Sequence, residues 1–462
     1  MSISIVILAA GSGSRMKSSQ PKLLHRLGGK PLVQHLFDTC HALSPEQLLI
    51  VHGRDSEPLK AALRHPSISW VEQPQPLGTG DAVKMAFPHL KANNIVLLMV
   101  GDIPLIEAQT LSNLISKCPT QGLSLIVNRV SNPFGFGRIV RDQHGKITGI
   151  VEEKDADEAQ RALCEINAGV FAVSGELLAQ FLPKLTNLNK QAEFYLTDMV
   201  SYAVKQGLPI QEVYPQSAEE VLGINTKKEL AVMERVFQAR QIEALQSEGV
   251  QFLDPARVDI RGSLKVGKDV VIDVNVVFED EVILGDGVQV GSHCVIKNCQ
   301  LGRDTVVHPF SYLEGAKTGQ ACQIGPYARL RASVELSHQV KIGNFVEIKN
   351  STVETGSKIN HLSYVGDATI GQSVNIGAGT ITCNYDGVSK HQTVIESGAF
   401  IGSNSVLIAP VTVGSEAFIG AGTTLTKDAP SNQLTLARAK QQTIPQWKRP
   451  TKVDQKEDSK TE

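Results

Sequence analysis

Two stretches of this sequence gather side chains for which packing gives no reason. Near the start, Leu8-Ala9-Ala10-Gly11-Ser12-Gly13-Ser14-Arg15-Met16 runs on to Pro21-Lys22. An apolar run enters a glycine-rich loop, whose amides can come close to phosphate oxygens. Arg15 and Lys22 place two cations where phosphate charge would lie. The order excludes a Walker loop, which needs Gly-Lys-Ser/Thr after its spacer. It also fails the dinucleotide fingerprint, because Met16 stands at the third glycine position. Glycines alone would fit a surface turn, but the whole string reads as a phosphate site.

The second stretch lies in the C-terminal half. Arg331 and Lys349 come first, then Asn360-His361-Leu362-Ser363-Tyr364-Val365-Gly366-Asp367. Asn375 follows, then Thr382-Cys383-Asn384-Tyr385-Asp386-Gly387. A lone His or Lys on a repeat surface is ordinary. Two cations, a His, a Tyr and two Asn within a few repeats form a candidate site for an anion and an amine. A neutral imidazole near its normal pKa can take a proton from an attacking amine at neutral pH.

The elements around these stretches differ in kind. In the first half, short apolar runs at Ile3–Ala10, Leu48–His52, Ile95–Val100, Leu123–Val127 and Gly169–Val173 read as strands. They alternate with helical patterns such as Leu32–Leu43 and Thr110–Lys117. This predicts a doubly wound, mostly parallel α/β sheet, with ligand at the carboxyl ends of its strands. Leu230, Met233, Phe237, Ile242 and Leu245 then stripe one face of a linker helix that Gly249 stops. Beyond Asp254-Pro255 an aliphatic residue recurs every six: Leu284, Val290, Ile296; Leu301, Val307, Leu313; Ile370, Ile376; Ile401, Leu407, Val413, Ile419, Leu425. Often Gly follows. Each hexad is then one flat side of a coil, which predicts a parallel β-helix. Between Thr382 and Gly387 the rhythm breaks, as for a loop leaving the coil. The expected domains are 1–225, a linker helix over 226–249, the β-helix over 250–436, and a tail over 437–462. Lys448–Glu462 is charged, without aliphatic pattern, and reads as disordered.

Bulk properties narrow the ligands. The 462 residues are 42% hydrophobic and 20% charged with a formal net charge of −2, so no basic field would recruit nucleic acid or an acidic membrane. Seven dispersed cysteines without a CxxC pair suggest reduced thiols. The apolar start lacks a basic leader, and no run approaches the ~20 residues needed to span a bilayer. A cytoplasmic enzyme of small metabolites is the expectation.

The N-terminal string resembles the signature of sugar-1-phosphate nucleotidyltransferases. Gln73 with Leu77-Gly78-Thr79-Gly80 is similar to that family's base-reading loop, and strand Val96–Val100 delivers Gly101-Asp102-Ile103-Pro104. In this setting Asp102, otherwise an ordinary turn residue, suits Mg²⁺, which takes one or two protein oxygens plus substrate phosphates. Glu152, Asn167 and Asn225 complete the likeness. It implies that Leu8, Ala9, Ala10, Gly11, Lys22, Gln73, Gly78, Thr79, Gly101 and Asp102 line the UTP site. Gly137, Glu152 and Asn167 would meet the sugar, and Asn225 would be the second metal ligand, although Asn is also common as an N-cap. A sugar-phosphate oxygen would attack the α-phosphorus in line, with Arg15 and Lys22 stabilising the charge.

The C-terminal strings resemble the acetyltransferase half of the bacterial bifunctional N-acetylglucosamine-1-phosphate uridylyltransferase/glucosamine-1-phosphate acetyltransferase family. The likeness runs from Val6 to about Arg449, through the linker helix and Asp254-Pro255-Ala256-Arg257. It implies a left-handed β-helix, a homotrimer, and His361 as the base that deprotonates the amino sugar. Arg331 and Lys349 would hold the glucosamine 1-phosphate, with Tyr364 and Asn375 on its sugar. Ala378, Asn384, Tyr385, Ser403, Ala421 and Arg438 would line acetyl-CoA. Five positions depart from the pattern: Val100 replaces a common Tyr, Ser14 a common Thr, and Ala332-Ser333 a Pro-Gly. Asp81 stands where an uncharged residue or His is usual. Two other readings remain at this point, a single-activity nucleotidyltransferase with a regulatory β-helix and a degenerate scaffold protein.

Overall fold

The computed structural model describes residues 2–11 and 13–449. Ser12 of the phosphate loop and the charged end of the tail lie outside the described residues. The described chain divides into two compact units. One runs to Leu284 and takes in Val295–Asn298, and the other holds Gly285–Cys294 and continues from Cys299.

In the first unit, β1 (Ile3–Ala9), β2 (Gln47–His52), β3 (Ile68–Glu72), β4 (Ile95–Val100) and β5 (Leu123–Arg129) are joined by β8 (Glu165–Ser174) and β9 (Ile210–Val213). They lie in the order β9-β5-β8-β4-β1-β2-β3, with an antiparallel hairpin of β6 (Arg138–Arg141) and β7 (Ile147–Val151) attached through β6 to β8. The central strands are apolar at consecutive positions because both faces are covered. Val6, Val96 and Leu98 enter one buried cluster, while Ile5, Ile7, Leu97 and Met99 enter another on the opposite face. Among the helices are α1 (Leu32–Ala42), α2 (Thr79–Ala86), α3 (Ala108–Ser116) and α4 (Lys227–Ser247).

β1 pairs in parallel with both β2 and β4, so the chain leaves β1 on one side and returns on the other. Ligands bind at such a switch point, beyond the carboxyl ends of the strands. Ala10-Gly11 and Gly101-Asp102 follow those ends. Three details differ from the sequence reading. β8 is antiparallel to both β4 and β5, because it is entered from a hairpin and not from a crossover helix. Thr79-Gly80 does not belong to a loop but opens α2, with Gly78 as its N-cap at φ 109°. The strands β3, β6, β7 and β9 carry too few consecutive apolar residues to announce themselves.

Helix α4 starts with a capping box, Thr226 accepting from Glu229 N at 3.1 Å while the Glu229 carboxylate accepts from Thr226 N. Met233, Ile242 and Leu245 of its stripe are buried and Leu230 and Phe237 partly so. Gln238 accepts from Ile260 N at 2.8 Å and donates to Ile260 O at 2.9 Å, as a neighbouring strand would.

In the second unit three aliphatic stacks climb through parallel ladders. One is Ile324, Ile342, Ile359, Ile376, Ile401 and Ile419. The others include Leu313, Leu330, Ile348 and Val365, and Leu336, Val353, Ile370, Ile395 and Val413. Every hexad aliphatic named from the sequence is buried. One corner of successive coils takes left-handed backbone at Phe310, Tyr327, Phe345 and Leu362, with φ between 48° and 61°. Such bulky residues pay strain there. The rings of His293, Phe310, Tyr327 and Phe345 stack in sequence at 4.7, 5.0 and 5.2 Å, which offsets part of it.

Candidate functional site

At the carboxyl end of β4, Asp102 Oδ2 accepts from Lys22 Nζ at 2.5 Å. Lys22 also donates to Asn225 Oδ1 at 3.0 Å, and Arg15 reaches the same oxygen at 2.8 Å. Two cations from the phosphate loop and two oxygens from distant segments therefore meet at one point. Asn225 is held from behind by Glu229, which accepts from its backbone N–H at 2.7 Å. Gly223 lies against this cluster, where a Cβ would stand a tight 3.3 Å from the Asp102 carboxylate. The paired hard oxygens of Asp102 and Asn225, bridged by an ammonium group, suit a cation that prefers oxygen ligands.

Three cavities open around this point. One of 590 Å³ is lined by Ala9, Ala10, Gly11, Lys22 and Gln73. Another of 340 Å³ is lined by Leu8, Arg15, Thr79, Asp102, Gly137, Glu152, Asn167 and Asn225. A third of 1020 Å³ brings Gly11, Arg15, Lys22, Glu152 and Asn225 together. Gly101 abuts Lys22 and Asp102 and donates to Leu8 O at 2.9 Å. Gly78 stands one layer back, its carbonyl accepting from Gln73 Nε2 at 3.1 Å. Burial pushes the Glu152 carboxyl above the usual range, and Thr197 Oγ1 donates to it at 2.9 Å, which opposes the shift. Asn167 is fixed through its own turn, its Oδ1 accepting from Gly169 N at 3.1 Å. Thr197 was not anticipated, because it precedes a helix far along the chain with no motif around it.

In the second unit, His361 pairs in register with Asn344, and its Nδ1 lies 3.0 Å from Asn344 Oδ1. An amide oxygen only accepts, so Nδ1 donates to it, and in the neutral ring this leaves the lone pair on Nε2. Ser363 Oγ donates to the His361 carbonyl at 2.8 Å. Arg331 is held by Glu347 at 3.1 Å, and Glu347 is the ladder neighbour of Tyr364. Lys349 faces Lys390, whose hydrogen-bonding contact and like charge lower the Lys349 pKa. Two cations facing each other mark a place that an anion would relieve. Lys390, within the loop that leaves the coil, was invisible from the sequence.

Tyr364 and Asn384 crowd Gly366, where a Cβ would meet Tyr364 Oη at 2.5 Å and Asn384 Nδ2 at 2.9 Å. Asn384 Nδ2 in turn donates to Asp367. The loop closes with Asp386 accepting from Val388 N, Ser389 N and His391 Nε2, and Tyr385 Oη donates to Gly387 O at 2.6 Å. Ala378, Ser403 and Ala421 stand at successive levels of one corner, and Arg438 donates to Ala421 O at 2.9 Å. His361 is one level from this strip, its carbonyl accepting from Gly379 N. Asn375 lies in the ladder between Lys358 and Phe400. No hydrogen bond joins Asn384 or Tyr385 to the strip among the described residues. A separate cavity of 410 Å³ along Gly315, Ser333 and Asn350 contains none of these residues.

Two comparisons bear on these sites. Residues 5–165 match the MobA-like NTP transferase domain, and residues 392–427 match the bacterial transferase hexapeptide of six repeats. The chain is 49% identical over 451 residues to the bifunctional protein GlmU of Nitrosospira multiformis, covering 97% of this chain and 98% of that protein. It is 48% identical to the proteins of the same name from Pseudoalteromonas atlantica, over 454 residues, and Chromobacterium violaceum, over 451. Those matches cover 98% of this chain and 100% and 99% of the two relatives. Identity at this level, end to end through both halves and both clusters, means that the chain belongs to the family of the bifunctional protein GlmU.

Proposed function

We infer that the chain catalyses two reactions in sequence. Acetyl-CoA N-acetylates glucosamine 1-phosphate in the β-helix. UTP then uridylylates the product in the first unit, giving UDP-N-acetylglucosamine and pyrophosphate. The observation that carries this reading is that each half brings its own reactive group to a prepared environment. Lys22 and Arg15 meet Asp102 and Asn225, and His361 is held in one tautomer by Asn344.

In the first reaction Arg331 and Lys349 hold the sugar phosphate, and Tyr364 and Asn375 position the ring. The amine attacks the thioester carbonyl, and His361 Nε2 takes its proton as the C–S bond breaks and coenzyme A leaves. Asn384, Tyr385 and the strip from Ala378 to Arg438 bind the coenzyme. In the second, a phosphate oxygen of the sugar attacks the α-phosphorus of UTP while pyrophosphate departs in line. Arg15 and Lys22 balance the charge, Glu152 and Asn167 orient the sugar, and Gln73 faces the base. Asp102 and Asn225 would hold Mg²⁺, which when bound supplies Lewis-acid stabilisation of phosphate charge.

The working division is a nucleotidyltransferase over 1–225, a linker helix over 226–249, the acetyltransferase over 250–436 and a tail from 437. Among the described residues no helix is long and apolar enough to cross a membrane, and the cysteines are free. The proposed cytoplasmic location rests on the seven dispersed cysteines without a CxxC pair, which favour a reducing compartment. The homotrimer is what the family resemblance implies, and the exposed rings of Phe310, Tyr327 and Phe345 are apolar surface that an assembly would cover.

The test is a pair of assays. Coenzyme A thiol release that needs glucosamine 1-phosphate and collapses in His361→Ala supports the first site. Pyrophosphate release that falls about 10²–10³-fold in Lys22→Met supports the second. A folded protein with no sugar-dependent thiol release would leave a nucleotidyltransferase with a structural β-helix.

A further inference from the structure

Gln73 is buried at the end of β3, and its side-chain amide is doubly committed. Nε2 donates to Asp81 Oδ2 at 2.8 Å and to Gly78 O at 3.1 Å. Both partners are oxygens that only accept, so the amide has one orientation and both of its N–H groups are used. Among the described residues no donor meets Oε1. Gln73 also lines the 590 Å³ cavity beside Ala9, Gly11 and Lys22, so its carbonyl is the end left for a ligand. Asp81 sits in the first turn of α2, where a carboxylate is favoured by the helix dipole.

We propose that Asp81 is a specificity-determining positioning residue. It locks the Gln73 amide so that the nucleotide site presents a hydrogen-bond acceptor to the base. This rests on the reading of that cavity as the base site. A base that turns an imide N–H toward the cavity wall, as uracil does, is accepted. A base with a bare ring nitrogen at that edge, as in cytosine, meets a lone pair and leaves a buried acceptor unpaired. Without the carboxylate, Gly78 O holds only one N–H, and the amide can rotate to offer its donor end. The extra negative charge at this position thus acts through an amide and not on the phosphates.

The experiment measures kcat/KM for UTP and CTP in the wild type, Asp81→Ala, Asp81→Asn and Gln73→Ala, with thermal unfolding of the first unit as the check on folding. Asp81→Ala is expected to narrow the UTP preference about tenfold. Asp81→Asn, which keeps an accepting oxygen, should recover most of it. A preference unchanged in Asp81→Ala but lost in Gln73→Ala would overturn the role of Asp81 and leave Gln73 as the reader. A preference unchanged in both would overturn the base-site reading itself.

Discussion

Glu152 shows how one side chain can serve binding at the expense of folding. Burial is the main cause of its raised pKa, with the carboxylates of Asp155, Asp198 and Glu193 adding to it. The folded chain therefore keeps a proton that the unfolded chain releases. Stability is full below the ordinary glutamate value, falls as pH rises toward the raised one, and stays lower above it. Glu152→Gln keeps the acceptor for Thr197 and removes the charge. Thermal unfolding of this variant should rise by about 2 °C at pH 7.5 and show no gain at pH 4, while uridylyl transfer loses sugar affinity. A melting temperature that drops at pH 7.5 would sink the idea. At this scale the sequence was informative where a motif surrounded the residue, as for Arg15, Lys22 and Asp102. It was silent where the partner arrives from another segment, as Thr197 does at Glu152 and Asn344 at His361.

At the scale of elements, the start of α2 and the loop after Asn384 carry the most consequence. Gly78 sits at φ 109°, and a Cβ there would stand 2.6 Å from Phe194 O. Gly78→Ala should cost roughly 1–3 kcal/mol by denaturant unfolding of the first unit and depress uridylyl transfer, because the same turn holds Gln73. In the second unit, Asp386 is held well below the usual carboxylate range by Ser389 N, His391 and Val388 N. Its contribution to the loop is therefore present at neutral pH and lost as pH falls through that depressed value. Asp386→Ala should raise the KM for acetyl-CoA roughly three- to tenfold and leave uridylyl transfer within about twofold. An unchanged KM would separate this loop from the coenzyme. The long alternating pattern and the hexads were legible because each repeats one physical requirement, cover for both faces of a sheet or one inward residue per side. Short strands such as β6 and β7 were not, since a half-exposed hairpin needs few apolar positions.

For the whole molecule, the two reactive centres belong to different compact units. A mixture of His361→Ala and Lys22→Met proteins should convert glucosamine 1-phosphate to UDP-N-acetylglucosamine, although neither does so alone. Chromatography of the two products would show it. No conversion by the mixture, with each remaining half-reaction intact, would mean that the intermediate does not pass through solution.

The ladders of the second unit also dictate how this half of the chain can change length. Ile342 pairs with Ile359 and Ile359 with Ile376, each about 17 residues on, whereas Ile376 meets Ile401 only after the loop that carries Lys390. Ile324 meets Ile342 after 18 residues and Ile342 meets Ile359 after 17 within the same stack, so a corner absorbs one residue while the aliphatic side chains stay aligned. Removal of a whole coil, or growth of the loop, leaves the stacks aligned. Length in this part of the gene therefore changes by a residue at a corner or by a full turn of the thread, and larger variation is confined to the loop that departs from it.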